Sequence, residues 1–88
     1  MSNRDSKFPI YRKSVNSLNF YCVISESRFI ELQAVGSRWF RYELVAEIWP
    51  TRLLIADLIA CADAAYLLST EEEFLEIAAK VQLASEKP

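Results

Sequence analysis

The sequence predicts an α+β fold, an antiparallel meander of three to four strands followed by two C-terminal helices packed on one sheet face. Three observations predict it. Aromatic and β-branched residues fill short segments up to residue 48, and turn residues separate them. An apolar run follows Pro50 and is interrupted after its start only by Asp57 and Asp63. A final segment then repeats apolar residues at helical spacing behind a row of acids.

The length of the chain sets the scale of the fold. Its 88 residues suit one small domain over 1–88, with residues 1–7 and 85–88 expected to be loose. The hydrophobic fraction is 52%, and Gly36 is the only glycine, which favours a dense fold over disorder. A domain this small has a thin stability margin. An apolar chain of this size often completes its core with a second copy of itself.

Four segments are predicted as strands. The first covers residues 8–13, where Pro9 favours a strand start or an edge. The second is Asn19–Ser25, which is apolar on both faces and therefore needs cover on both. The third covers residues 29–35, and the fourth runs from residue 37 or 38 to residue 48.

Alternation in the fourth strand predicts how it pairs with the third. A two-residue turn at Gly36 and Ser37 would set Leu32 opposite Arg41, which places a core residue against a charge. A loop one residue longer reverses every side chain and pairs apolar residues with each other, so we predict that register. Its pairs are Ile30 with Leu44, Leu32 with Tyr42 and Ala34 with Phe40.

The first helix is predicted from Pro50 to residues 66–68, because proline suits the first turn of a helix. It lacks a polar stripe, so it is expected to be buried on more than one side. It should pack beneath Phe40, Tyr42 and Leu44. Its predicted core residues are Leu54, Ile55, Leu58, Ile59 and Ala62.

A second helix is predicted to begin after Ser69 or Thr70. Either residue forms a capping box with the glutamate three positions later, and the acids that follow suit the helix dipole. The apolar residues behind them recur at i, i+3, i+4 and i+7, which predicts one core face. These residues are Phe74, Ile77, Ala78 and Val81.

The residue types exclude several kinds of chemistry. The chain has no histidine, so it lacks the commonest general base and metal ligand, and no imidazole can activate Cys22 or Cys61. A single glycine cannot form a glycine-rich phosphate loop. We therefore expect a protein without catalytic activity, cofactor or metal. Both cysteines lie in apolar runs and are expected to behave as small hydrophobic residues.

The apolar runs do not predict a membrane protein. The first seven residues are polar and lack the apolar segment of a signal peptide. The longest apolar-rich run, residues 53–68, is too short and too charged for a membrane span. We therefore expect a cytoplasmic protein with no membrane partner.

The strongest functional signal is the outer face of the predicted sheet. If both helices cover the inner face, large apolar side chains remain on the other, and such patches mark contact surfaces. Tryptophan, tyrosine and arginine are also the residues that dominate binding energy at interfaces. One alternative is that a helix of the same protomer crosses to cover this face. The predicted interaction surface comprises Tyr21, Phe29, Val35, Trp39, Arg41 and Val45.

These features predict a small cytoplasmic protein-interaction module that self-associates, as a homodimer, and that can also bind another protein. The alternative is a protein that binds single-stranded nucleic acid, with bases stacked on the aromatic rings and phosphates held by arginine. A net charge of −2 and the acids on the same face disfavour nucleic acid.

Overall fold

A computed structural model describes residues 8–61 and 66–86 of the chain. Within those residues it contains a five-stranded antiparallel sheet and two helices, which confirms the α+β class and the predicted meander. The elements are β1 (Ile10–Ser14), β2 (Asn19–Ser25), β3 (Arg28–Val35), β4 (Arg38–Val45), α1 (Trp49–Ala60), β5 (Tyr66–Leu68) and α2 (Glu71–Glu86).

The strand order in the sheet is β4-β3-β2-β1-β5. The first four strands pair with their neighbours in the chain, and β5 returns to pair antiparallel with β1. The sheet therefore has two edges among the described strands. One edge is β5, which has three residues, and the other is β4, which has eight.

The first helix is shorter than predicted. It ends at Ala60, and Cys61 adopts a left-handed conformation with φ of 52° and donates its N–H to the carbonyl of Asp57 at 2.8 Å. Residues 66–68 form β5 instead of the end of the helix, because the open edge of β1 offers them hydrogen-bond partners. An apolar run alone does not distinguish a buried helix from a buried strand. The predicted core residue Ala62 lies outside the described residues.

The two helices lie on opposite faces of the sheet, so the prediction that both pack on one face is wrong. Successive residues of a strand point to opposite faces. On the face that α1 covers, Ile55 and Leu58 form a core with Tyr21, Val23 and Phe29. On the other face, Phe74 of α2 forms a core with Phe20, Cys22 and Leu32. This arrangement supplies the cover that β2, apolar on both faces, requires.

We call these two surfaces the α1 face and the α2 face. On the α1 face, Ile55 and Leu58 are buried, while Leu54 and Ile59 are partly buried, which confirms the core predicted for the described part of the helix. The helix lies over β2 and the start of β3, and only Leu44 of β4 packs against this core. The expectation that α1 also covers Phe40 and Tyr42 is wrong.

The register between β3 and β4 also differs from the prediction. A two-residue turn at Gly36 and Ser37 pairs Val35 with Arg38, which sets Leu32 opposite Arg41. Gly36 has a positive φ of 64°, as the first residue of such a hairpin turn requires. The prediction of a longer loop assumed that only one face of the sheet is buried. Because both faces are covered, Leu32 is buried beneath α2 and its neighbour Arg41 still reaches solvent from the edge strand.

The start of α2 confirms the predicted cap. Thr70 Oγ1 accepts a hydrogen bond from the N–H of Glu73 at 3.2 Å, as an N-cap residue does. The Glu73 carboxylate accepts a hydrogen bond from Ser69 Oγ at 2.6 Å and one from Lys13 Nζ at 2.9 Å. The cap thereby also joins α2 to β1.

Candidate interaction surfaces

The structure divides the predicted interaction surface between the two faces of the sheet. Tyr21 and Phe29 are buried beneath α1, Phe29 with only 1% of its surface exposed. Trp39 lies on the α2 face, half-buried, with its ring 5.9 Å from that of Phe20. The alternative considered above, a helix of the same protomer covering the second face, is therefore the observed arrangement. The remaining predicted residues, Val35, Arg41 and Val45, are exposed.

The exposed surface that remains centres on β4. On the α1 face, Phe40 and Tyr42 are 38% and 44% exposed, since α1 does not reach them. Val35 on β3 adds a third exposed apolar side chain on the same face. Apolar side chains grouped on one surface indicate a contact site more strongly than single exposed residues do.

The backbone of β4 is the second feature of this surface. Val35 and Arg38 flank a two-residue turn, and such a flanking pair exchanges two main-chain hydrogen bonds. Even-numbered residues of β4 therefore direct their amide groups towards β3. Ala46, the next even-numbered residue after β4, follows the same pattern, because its N–H donates a hydrogen bond to the carbonyl of Ser27 at 2.7 Å. The amides that point away from the sheet belong to Trp39, Arg41, Glu43 and Val45.

Two opposite charges flank Tyr42 on this edge. Arg41 and Glu43 project from the α2 face, and Arg41 Nη2 donates a hydrogen bond to Glu43 Oε2 at 3.2 Å. Both side chains are about half exposed, so this ion pair contributes little to the stability of the protomer. Each charge is therefore free to exchange its partner for one on another molecule. We call the outward edge of β4, with Phe40, Arg41, Tyr42 and Glu43, the β4 surface.

A second exposed feature is a groove beside α1. It has a volume of about 700 Å³ and lies between the helix and the β2–β3 turn. Trp49 and Leu53 form part of its wall, and both are largely exposed. Glu26 and Arg52 are the charged residues that line it. The groove is mostly apolar, and it presents no arrangement of polar groups that would select one ligand.

Two basic residues of β1 are engaged within the protomer. Arg12 donates hydrogen bonds from its guanidinium to the carbonyls of Leu58 and Ile59, at 2.8 and 3.1 Å. Lys13 binds Glu73. Together with the burial of Tyr21 and Phe29, these contacts remove part of the aromatic and cationic platform expected of a nucleic-acid-binding sheet.

Burial shifts the pKa of titratable groups on β1 and β2. Burial raises the pKa of the Cys22 thiol, which keeps it protonated at neutral pH. Burial also raises the pKa of Tyr11 to about 12, and the neighbouring Cys22 and Glu71 add to the shift. No cluster of three or more metal-ligating side chains occurs in the described ranges. The absence of catalytic activity stays a prediction.

Sequence reasoning missed Phe40 and Tyr42 as surface residues. It assigned Phe40 and Tyr42 to the core because they alternate with charged residues. The signal that could have found them is the position of β4 as the last strand of the meander. A last strand lies at a sheet edge unless another strand joins it, and side chains at an edge reach solvent more easily.

The fold and this surface define a small α+β protein, with one helix on each face of its sheet and a long strand edge open. The chain matches no protein-family model, no curated protein and no solved structure. Neither helix, over the part of the chain that the structure describes, is both long and apolar enough to cross a membrane.

Proposed function

We propose that the chain is a small protein-interaction module, without catalytic activity, that associates with a second copy of itself through the β4 surface. The observation that carries the proposal is the eight-residue edge of β4, which pairs with β3 alone among the described strands. Outward N–H and C=O groups on an exposed edge are a ready template for another strand.

The side chains of β4 support the same proposal. Edge strands are commonly kept apart by being short, by charged side chains, by proline or bulges, or by a covering helix or loop. β4 is not short and has no proline or bulge, and although α2 packs against one face of this strand, most of its residues stay exposed. β5 at the other edge has only three residues. Phe40 and Tyr42 add apolar area beside the edge that a second strand would bury.

We place this module in the cytoplasm. Both cysteines are free thiols in the structure, Cys22 buried and Cys61 partly buried. Free thiols persist in reducing compartments, whereas oxidising compartments favour disulfides.

Light scattering over a dilution series of the pure protein tests the proposal. The wild-type protein is expected to form dimers that dissociate on dilution. Tyr42→Lys should shift the protein towards monomer, because a lysine on an edge strand opposes pairing. Leu68→Lys is the matched control, since it makes the same charge change at an exposed apolar residue of the other edge.

Two results would contradict the proposal. One is a wild-type protein that remains monomeric at hundreds of micromolar. The other is a dimer that Leu68→Lys disrupts and Tyr42→Lys does not, which would move the contact to the β5 edge. A titration with a single-stranded oligonucleotide, repeated at rising salt, tests the alternative function, because phosphate contacts weaken steeply with salt. We expect no salt-dependent binding.

A further inference from the structure

We infer that two copies of the chain pair their β4 strands antiparallel about a two-fold axis at Tyr42, so that Arg41 of each copy faces Glu43 of the other. This inference rests on the proposed function and specifies its geometry. The five strands described in each copy would then form one continuous sheet across the two copies.

Symmetry restricts the registers that two identical strands can adopt. In a two-fold pair, if one residue faces a second, the second faces the first. Residues that face each other across the new strand pair must also lie on the same sheet face, and only odd-numbered residues of β4 have outward amides that can form the new hydrogen bonds. Each hydrogen-bonded pair therefore joins two odd-numbered residues. The axis lies midway between them, and so it passes through a residue of β4. Axes near the middle of Arg38–Val45 give the longest ladders, so the candidate axes lie at Phe40, Arg41, Tyr42 or Glu43.

The charges distinguish these four registers. An axis at Arg41 places the two copies of that arginine opposite each other, and an axis at Glu43 does the same for two carboxylates. Like charges directly opposite each other destabilise a strand pair. An axis at Tyr42 instead sets Arg41 against Glu43 twice, once on each side of the axis. An axis at Phe40 sets Arg41 opposite Trp39, so of the four registers only the one at Tyr42 pairs opposite charges.

The register at Tyr42 also satisfies the backbone and the apolar side chains. Arg41 and Glu43 have outward amides, so their cross-strand pair can exchange main-chain hydrogen bonds. On the α1 face, the two Tyr42 rings meet at the axis, and Phe40 faces Leu44 of the second copy. Aromatic and apolar cross-strand pairs stabilise antiparallel sheets. Side chains that are exposed in the protomer thereby cover one another.

Charged residues on an edge strand can also serve to prevent pairing. If all the charges on the edge strand have one sign, they repel in every register, because the second copy carries the same charges. Arg41 and Glu43 have opposite signs and lie two residues apart, so they attract in the register centred between them. The same two residues disfavour the neighbouring registers and therefore select one alignment.

Substitutions that reverse the charges at positions 41 and 43 test this register. Arg41→Glu sets carboxylates opposite Glu43 at both symmetric positions and should raise the dissociation constant of the dimer about tenfold or more. Glu43→Arg should do the same with two guanidinium groups. The double variant Arg41→Glu/Glu43→Arg restores opposite charges and should return the dissociation constant close to the wild-type value. An equal mixture of the two single variants should also associate, which shows that each is folded.

A cross-link tests the position of the axis. The pair at the axis is not hydrogen-bonded and brings two α-carbons within about 4.5 Å, inside the range of a disulfide. Tyr42→Cys in a Cys61→Ser background should therefore form a disulfide dimer with oxidised glutathione. Phe40→Cys in the same background is the matched control and should not, because position 40 faces Leu44 of the second copy.

The outcomes separate this inference from the proposed function. A monomeric wild-type protein overturns both. A wild-type dimer that Arg41→Glu leaves unchanged, or that Phe40→Cys cross-links better than Tyr42→Cys, overturns the register while self-association stands. The expected result is weaker association in both single variants and wild-type association in the double variant. The cross-link should form at position 42 and not at position 40.

Discussion

Arg12 on β1 donates a hydrogen bond from Nε to the main-chain carbonyl oxygen of Leu58, close to the end of α1, at 2.8 Å. Its Nη2 reaches the carbonyl of Ile59 at 3.1 Å, and its Nη1 binds that of Tyr11 at 2.9 Å. The last carbonyls of a helix have no partner within the helix, and a cation there also interacts favourably with the helix dipole. Arg12 therefore joins the sheet to α1 and closes the end of that helix.

Removing this guanidinium should destabilise the fold. Arg12→Met keeps much of the apolar stem and loses all three hydrogen bonds. We expect a loss of at least about 1.5–3 kcal/mol in the free energy of unfolding, the usual range for one hydrogen bond to a charged group. Urea unfolding measures it. Arg38→Met, at an exposed position beside a turn, is the control, and equal losses in the two variants would contradict this role for Arg12.

Leu58 should be the most sensitive position of α1, because its side chain is fully buried against the sheet. Leu58→Ala should cost roughly 2–5 kcal/mol, through lost apolar burial and the cavity left behind. Leu53→Ala makes the same chemical change on the exposed side of the helix and should cost much less. A loss below about 0.5 kcal/mol for Leu58→Ala in denaturant unfolding would show that α1 does not pack as described.

Loss of the cap at the start of α2 should lower the free energy of unfolding by less than Leu58→Ala does. Replacing Ser69 and Thr70 with alanine removes the acceptor for the N–H of Glu73 and a donor to its carboxylate. We expect a cost on the order of 1–2 kcal/mol, as for other N-cap residues. Thermal or urea unfolding measures it, with Ser37→Ala in the exposed β3–β4 turn as the control. No difference between the two variants would contradict the cap.

Glu73 should also make stability depend on pH. Hydrogen bonds from Ser69 and then Lys13 stabilise its carboxylate and lower its pKa. Its contribution is therefore complete above the ordinary pKa of a glutamate and is lost as pH falls through the lowered pKa. Glu73→Gln should be less stable than wild type at neutral pH, and the difference should vanish in strong acid. Glu72→Gln, exposed in the same turn, is the control. A difference that persists in acid would contradict this assignment.

The parts of the fold with local signals could be predicted from the sequence. β2 begins and ends as predicted, since its aromatic and β-branched residues lie between turn residues. Thr70 and Glu73 gave the start of α2 through their spacing. Predictions failed where they depended on partners distant in the chain. Residues 66–68 became a strand only because β1 had an open edge beside them.

The candidate site was predicted only in part, for the same reason. The prediction grouped Phe29 with Trp39 because the longer loop that it assumed puts both residues on the same sheet face, whereas the observed two-residue turn puts them on opposite faces. Alternation along each strand leaves the choice of covered face open, and α1 buries Phe29 while Trp39 packs under α2. Arg41 kept its place on the exposed surface, and Tyr42 joined it because the edge position, which depends on strand order, leaves it uncovered.

The central claim is that the outward edge of β4 pairs with a second copy, and amide hydrogen exchange measures that pairing residue by residue. The amides of Phe40 and Tyr42 point towards β3, so they should be protected in monomer and dimer alike. The amides of Arg41 and Glu43 point away from the sheet, so only a second strand can protect them.

The measurement is NMR-detected exchange at two protein concentrations, one well below and one well above the dissociation constant from light scattering. We predict that Arg41 and Glu43 exchange rapidly in the dilute sample and slowly in the concentrated one, while Phe40 and Tyr42 exchange slowly in both. Rapid exchange at Arg41 and Glu43 in a sample that light scattering shows to be dimeric would contradict pairing through β4.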